Sequence, residues 1–192
     1  MSMTDERTTR ELMEQLGDDC ARCHAMLIEC IDAGEVDEDG NISADYEFYA
    51  RQLIRAVFAY IEAVTFSVKA WSAGRCMELG IEITPQERYF ATDTDYDLDD
   101  KGEIVETAAK IPLARNIRFA IAMNRKAHGV SDPFDASVEW WSSLREAIRV
   151  RDRLTHPKMP GDLDVSGDDI MKALKARTGF EAEVLRPGKA DP

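Results

Sequence analysis

The segment that most constrains the fold is a long helical pattern that runs from about Ala44 to Leu79. Its middle, residues 56–68, is apolar on nearly every side, and Glu62 is the only charged residue in that run. A helix that is apolar all round is normally buried within a protein. We therefore predict that this segment forms the central helix of a mainly α-helical core.

Four further helices are expected from periodicity and from start and stop signals. Apolar residues recur at helical spacing over about residues 4–33, 113–128 and 134–156. Ser166-x-x-Asp169 resembles a capping box and predicts a shorter helix that Gly179 ends. Asp132-Pro133 is interpreted as the start of the 134–156 helix, and Pro157 as its stop.

The helical pattern is interrupted between residues 81 and 110. Two strand-like runs, one from Arg88 and one from Ile104, flank an acidic turn that contains Gly102. This arrangement is typical of a β-hairpin. The predicted fold class is mainly α: a four- to five-helix bundle with a β-hairpin inserted before the third helix.

The length of 192 residues suits one domain. We expect a single helical domain over residues 1–180, with the hairpin insertion at about 86–110, and a flexible C-terminal tail over 181–192. No apolar run reaches the roughly 18 residues of a membrane span, and the N-terminus lacks the basic and apolar regions of a signal peptide. The expectation is a soluble, cytoplasmic, acidic protein without a membrane partner.

The densest chemistry lies in residues 149–158, Arg-Val-Arg-Asp-Arg-Leu-Thr-His-Pro-Lys. On a helical wheel, a stripe with spacings of four, three and four borders the apolar face; its members are Arg145, Arg149, Asp152 and His156. Arg151 falls inside the apolar face and needs a partner, since an unpaired buried charge is costly. Glu62, as the only charged residue in the apolar run of the 44–79 helix, also needs a partner of opposite charge. We therefore predict a structural ion pair between Glu62 and Arg151.

These residues carry a family resemblance. Arg151-x4-His156, with the polar Asp152 directly after the arginine, resembles the signature of HEPN domains, and Arg149-x6-His156 fits the same loose pattern. The continuation Leu154-Thr-His-Pro-Lys is similar to bacterial members. The resemblance implies an all-helical fold of HEPN type that dimerises through its motif helices. Many HEPN domains are metal-independent ribonucleases, whereas others are binding or toxin-partner modules.

The resemblance also implies roles for individual residues. His156 would be the general acid and base, Arg149 and Arg151 the phosphate clamps, and Asp152 the residue that orients His156. Other cations of the same helix and of the 110–126 basic run are candidates for phosphate or RNA contacts: Arg145, Arg153, Lys158, Arg115 and Arg118. No metal and no cofactor are expected.

The resemblance implies several partners: a second copy of the chain, RNA, and an antitoxin or a nucleotidyltransferase-type protein. The leading hypothesis is a metal-independent endoribonuclease of RNA-processing, defence or toxin type. The alternative is a non-catalytic helical module that binds a nucleotide or a protein and uses the motif for dimerisation. The net charge of −13 argues against non-specific nucleic-acid binding, so an acidic regulatory scaffold is a third class.

Two metal-like or cofactor-like patterns have simpler interpretations. Cys20-Ala-Arg-Cys23-His24 matches a haem-attachment pattern or part of a zinc site, but its cysteines fall on the core face of the first helix, where buried free thiols are expected. Acidic residues of the hairpin fit four positions of a calcium-loop template: Asp95, Asp97, Asp99 and Glu106. Asp100 stands where that loop needs glycine, so an exposed acidic hairpin is favoured.

Overall fold

A computed structural model of the protein describes residues 3–34 and 43–187, with side chains from residue 9 onwards. Within these residues there are six α-helices, one antiparallel hairpin and a single-turn 3-10 helix at Pro160–Leu163. The helices are α1 (Met3–Asp32), α2 (Ala44–Glu78), α3 (Pro85–Ala91), α4 (Leu113–Ala127), α5 (Glu139–Thr155) and α6 (Gly167–Leu185), and the strands are β1 (Thr94–Leu98) and β2 (Ile104–Ala108). The predicted mainly α class with one hairpin is confirmed.

The chain divides into two compact units. Of the described residues, the first unit, which we call the hairpin unit, comprises residue 3, residues 64–135 and residues 182–187; the second, the motif unit, comprises residues 4–34, 43–63 and 136–181. The helix α2 therefore contributes residues 44–63 to the motif unit and residues 64–78 to the hairpin unit, and α6 is divided at residue 181. No helix among residues 3–34 and 43–187 is both long and apolar enough to cross a membrane.

The core of the motif unit is built from apolar residues at helical spacing. Its fully buried large side chains include Phe58 and Ile61 of α2, Leu144 and Leu154 of α5, and Phe180 of α6. The predicted central role of α2 agrees with this burial. The apolar face of α5 is also largely buried; Val150 belongs to its buried residues, and Ile148 is only partly buried.

The hairpin unit has a smaller apolar cluster. Ala73, Ala91 and Met123 are buried together, and Ile83 and Phe119 pack against them. The end of α6 contributes to this unit, because the Asn124 amide donates to the Val184 carbonyl at 2.8 Å and Arg125 pairs with Glu183 at 2.8 Å. The C-terminal helix is thereby fixed beyond the point at which a tail was expected to begin.

Three predicted boundaries were wrong. The helix α5 begins at Glu139 and not near Phe134, and α6 continues through Gly179 to Leu185. The strand-like run from Arg88 is helical as far as Ala91, in α3, and becomes a strand only at Thr94. The helix α3 forms because Thr84 and Glu87 make a capping box with Pro85 in the first turn. Residues 188–192 of the predicted tail lie outside the described part of the chain.

Candidate functional site

The candidate site is the C-terminal end of α5. His156 is the C-terminal cap, and its backbone N–H donates to the Asp152 carbonyl at 3.0 Å. Pro157 follows directly and cannot continue the helix, so the histidine is left at its end. The imidazole is exposed. A side chain in this position can meet a ligand in solvent without any rearrangement of the core.

An exposed cationic stripe leads along α5 to His156. Arg145, Arg149, Asp152 and His156 are all exposed, and their spacings of four, three and four place them on one surface of the helix. In the part of the chain whose side chains are described, neither Arg145 nor Arg149 has an ion pair with an acidic residue. Both guanidinium groups are therefore available for a phosphate, which an arginine can bind through two parallel hydrogen bonds.

Arg151 is engaged within the motif unit. Its Nη2 contacts Glu62 Oε1, and its Nη1 lies 3.0 Å from Asp152 Oδ1. The exposed fractions of the Arg151 and Glu62 side chains are 29% and 41%, so the pair lies at the edge of the core and not within it. The ion pair that the sequence predicts between Glu62 and Arg151 is present, but water screens it in part.

The position of Asp152 differs from the expectation. Its carboxylate accepts from Arg151, and no hydrogen bond joins it to the ring of His156 among the described side chains. Asp152 and His156 are four residues apart on the helix surface, but the neighbouring guanidinium is the stronger, charge-assisted donor. Asp152 thus neutralises part of the Arg151 charge rather than orienting His156.

Arg153 is also engaged, in this case with the segment that follows the motif. Its guanidinium donates to the Asp162 carbonyl at 2.9 Å, to the Asp164 carbonyl and to Asp169 Oδ2 at 3.1 Å. Asp169 in turn caps α6 through the predicted capping box with Ser166, since both reciprocal hydrogen bonds are present. Arg153 therefore acts as a clamp on the chain between α5 and α6, and the donors that make these three bonds are not available for phosphate.

The turn after His156 is closed by Asp162. Its carboxylate accepts from the backbone N–H groups of Lys158 at 2.7 Å and Met159 at 3.1 Å. These two hydrogen bonds lower the pKa of the Asp162 carboxyl below its ordinary value. The backbone of Lys158 is fixed in this way, and its side chain, two residues after the histidine in the sequence, is exposed.

Sequence reasoning missed Arg55. Its Nη2 donates to the Leu154 carbonyl at 3.3 Å, in the last turn of α5. Carbonyls in the last turn of a helix have no partner within the helix, so this donor satisfies one of them. Arg55 and Glu62 are seven residues apart and lie on the same side of α2, and each contacts the last turns of α5. The seven-residue spacing from Glu62, which places both side chains on one side of α2, could have identified Arg55 from the sequence.

Arg115 and Arg118 lie on α4 in the hairpin unit, whereas the motif belongs to the motif unit. Both side chains are exposed. Arg118 borders a cleft of about 320 Å³, which is lined by residues of α4 and of the 130–134 segment. Two other cations of this cleft are already paired, Arg125 with Glu183 and Lys126 with Glu87.

A buried lysine in the hairpin unit was also missed. Lys69 is fully buried, and its ammonium pairs with the Asp93 carboxylate and donates to the Phe90 carbonyl at 3.1 Å and to Asn116 Oδ1 at 2.7 Å. Burial lowers the pKa of Lys69, and Asp93 opposes that shift. All three donors are satisfied, so Lys69 ties α2, α4 and the entry to β1 together. The position of this lysine directly after the apolar run of α2 could have predicted from the sequence that it is buried.

The four cysteines are free thiols. Cys20 and Cys30 are buried in α1, and burial raises the pKa of the Cys20 thiol to about 11. In the described part of the chain there is no group of three or more histidine, cysteine or acidic side chains that could hold a metal ion. Within the Cys20–Cys23 pattern, the expected burial is found for Cys20, whereas Cys23 is only partly buried.

We compared the chain with protein-family models, with curated proteins and with solved structures. No family model, curated protein or solved structure matches it.

Proposed function

We propose that the protein is a HEPN-like, metal-independent endoribonuclease of RNA-processing, defence or toxin type. The observation that supports this most directly is the exposed imidazole of His156 at the end of an exposed stripe that includes Arg145 and Arg149. The stripe combines a group that can transfer protons near neutral pH with groups that bind phosphate.

In the proposed reaction, a base removes the proton of a ribose 2'-hydroxyl, and the 2'-oxygen attacks the adjacent phosphorus. The bond from phosphorus to the 5'-oxygen breaks, and an acid gives a proton to the leaving oxygen. The products are a 2',3'-cyclic phosphate and a 5'-hydroxyl end. His156 would serve as one of these two groups and the His156 of a second copy of the chain as the other, and Arg149 would stabilise the charge that develops on the phosphate oxygens.

Two copies of the motif would make this site more complete. One histidine cannot act as base and acid in the same step, whereas a two-fold related pair supplies both groups. The family resemblance implies a homodimer through the motif helices, and we include that dimer in the proposal. Arg151 then has a positioning role, because it holds the last turns of α5 to Glu62 on α2.

A non-catalytic module is the second candidate, and it too has an observation in its favour. Arg151 and Arg153 are both occupied by intramolecular partners, which leaves fewer free cations than the sequence pattern suggests. The net charge of −13 also opposes the approach of RNA. In this case the motif surface would bind a nucleotide or a protein partner, or would form the dimer contact.

The test is cleavage of RNA in EDTA by wild type, by His156→Ala and by the control variant His24→Ala. His24 is an exposed histidine on α1 of the same unit. We expect wild type and His24→Ala to produce 2',3'-cyclic phosphate ends, and His156→Ala to lose cleavage at least about a hundredfold. Dimer content, measured by sedimentation, is matched among the three.

Each result separates the candidates. Absence of cleavage by a dimeric wild-type protein over structured and single-stranded RNAs would replace the enzyme with the non-catalytic module. Cleavage that survives in His156→Ala would contradict the assigned site. Arg149→Ala and Arg151→Ala add a second contrast: loss of cleavage with unchanged thermal stability is expected for Arg149→Ala, and a lower melting temperature for Arg151→Ala.

A further inference from the structure

The β-hairpin exposes an apolar strip that the proposed nuclease site does not use. Tyr96 lies opposite Glu106 and Leu98 opposite Ile104, and residues directly opposite each other share one face of the hairpin. The exposed fractions of Leu98 and Ile104 are 64% and 75%. Tyr89 of α3 extends the strip, because its ring meets the Tyr96 ring edge to face at 5.0 Å.

Negative charge borders the strip. Residues 93–106 include seven acidic residues and one lysine, and Asp93 among them is paired with Lys69. Glu106 shares the face of the strip, and three acids lie in the turn next to Leu98 and Ile104: Asp99, Asp100 and Glu103. Burying an aliphatic pair at the tip of such a hairpin would require a partner that also neutralises these carboxylates. Large exposed apolar side chains next to one another, rimmed by charge, are a feature of protein interaction surfaces.

The outer edge of β1 is not prepared to receive another strand. Asp99 N–H donates to the Glu103 carbonyl, so by alternation the N–H groups of Tyr96 and Leu98 point away from β2. The preceding aspartates already accept from them: Asp95 from Tyr96 at 2.9 Å and Asp97 from Leu98 at 2.8 Å. A partner would therefore contact the side chains of the strip instead of extending the sheet along β1.

We propose that this apolar strip is a docking surface for a cationic amphipathic segment of a partner protein. Aliphatic side chains of the partner would cover Leu98 and Ile104, and its lysines or arginines would face the acidic rim and the tyrosine rings. Charge complementarity selects this occupant. A second copy of the chain brings a second acidic hairpin and the same net charge of −13, while RNA and anionic lipid are repelled.

The experiment uses full-length protein and a fluorescent amphipathic leucine–lysine peptide, with a serine–lysine peptide of equal charge as the comparison. Binding is measured by fluorescence anisotropy. The test variant is Leu98→Ser/Ile104→Ser, which leaves every charge in place. The matched control is Leu12→Ser/Met171→Ser, which removes two exposed apolar residues from the motif unit.

We expect the leucine–lysine peptide to bind wild type and the control equally, and the test variant at least about tenfold more weakly. Binding should also weaken with added salt. Equal losses in both variants, tighter binding of the serine–lysine peptide, or no binding to wild type would each overturn the proposal.

Two further measurements keep the result independent of the variants and of the nuclease proposal. Hydrogen exchange of wild type with the peptide should show protection in residues 94–108, and protection elsewhere alone would contradict the docking site. Sedimentation of Leu98→Ser/Ile104→Ser should match wild type, because loss of a dimer would make the strip a contact between copies. RNA cleavage does not involve the strip, so its outcome leaves this inference unaffected.

Discussion

Gly179 provides the sharpest quantitative test of how the motif unit is packed. It lies inside α6, and a Cβ atom built there would be 2.2 Å from Cγ and 2.4 Å from Cβ of Trp140. Carbon atoms in contact are normally about 3.5–4.0 Å apart. The clashing atoms are close to the backbone of α5, so rotation of the indole ring cannot remove the overlap. Gly179→Ala would force α5 and α6 apart.

The expected change in stability follows from two opposing terms. Alanine is favoured over glycine in a helix by about 1 kcal/mol. Overpacking of a filled core costs about 1–3 kcal/mol, and an overlap of more than an ångström belongs at the upper end. We therefore expect Gly179→Ala to lower the free energy of unfolding by about 2 kcal/mol.

Gly74→Ala is the matched control. Gly74 is also in a helix interior, in α2, but a Cβ atom there would meet nothing within 4 Å. Only the helix preference remains, so Gly74→Ala should raise the free energy of unfolding by about 0.5–1 kcal/mol. Urea unfolding, followed by circular dichroism and tryptophan fluorescence, measures both variants. Equal stabilisation by the two substitutions would refute the close approach of α5 and α6 at Gly179.

Three other predictions concern charge, thiol reactivity and the motif turn. Burial alone would raise the pKa of Glu87, but hydrogen bonds from Lys126 and from the backbone outweigh burial and lower that pKa. The stabilisation that ionised Glu87 gives to the folded state is therefore present above the ordinary carboxyl pKa, and it is lost as the pH falls through the lowered pKa of Glu87. Urea titrations should show Glu87→Gln less stable than wild type by about 0.5–1 kcal/mol at pH 7, with the difference vanishing in acid. Because burial raises the pKa of Cys20 to about 11, peptide mapping should find its alkylation by iodoacetamide at neutral pH much slower in the folded than in the urea-unfolded protein, and equal rates would contradict the burial. Arg153→Ala should speed amide exchange in residues 157–166, since two carbonyls and a carboxylate lose their donor; unchanged exchange would show that the clamp contributes nothing.

Periodicity was sufficient for the long helices. The predicted range for α2 ends one residue beyond the observed helix, and that for α4 does the same. In both, the apolar pattern and the end signals agree with the burial that the structure shows. The turn chemistry around Gly102 was equally readable, since this residue has φ +80° in the hairpin loop.

The start of α5 depended on contacts with the end of α4, which the local start signal does not include. Asp132-Pro133 is a good local start signal, but Arg125 donates to both of their carbonyls, at 3.0 and 3.3 Å, and lies over the buried Phe134 ring. These contacts hold the segment in a non-helical conformation until Glu139. Gly179 failed as a stop for a related reason, because its missing side chain accommodates Trp140 rather than a turn.

The sequence predicted which residues lie at the candidate site, but it did not predict which of them pair with one another. The sequence placed the cations of α5 together, and the mismatch of Arg151 and Glu62 indicated a partner for each. Spacing could not show that Asp152 faces Arg151 instead of His156, because both lie within reach on the helix surface. Nor could it show that Arg153 folds back over the following turn, which depends on carbonyls nine and eleven residues later.

These pairings favour one of the two motif spacings over the other. In the Arg-x4-His spacing, the arginine is Arg151, whose charge is compensated by Glu62 and Asp152. In the Arg-x6-His spacing, the arginine is Arg149, which is exposed, has no acidic partner among the described side chains and lies two helical turns before His156. A phosphate binds more favourably to a guanidinium that has no carboxylate partner, because no existing ion pair has to be broken first. If the end of α5 binds RNA, Arg149 should therefore be its principal phosphate contact, with Arg151 supporting the helix that carries it.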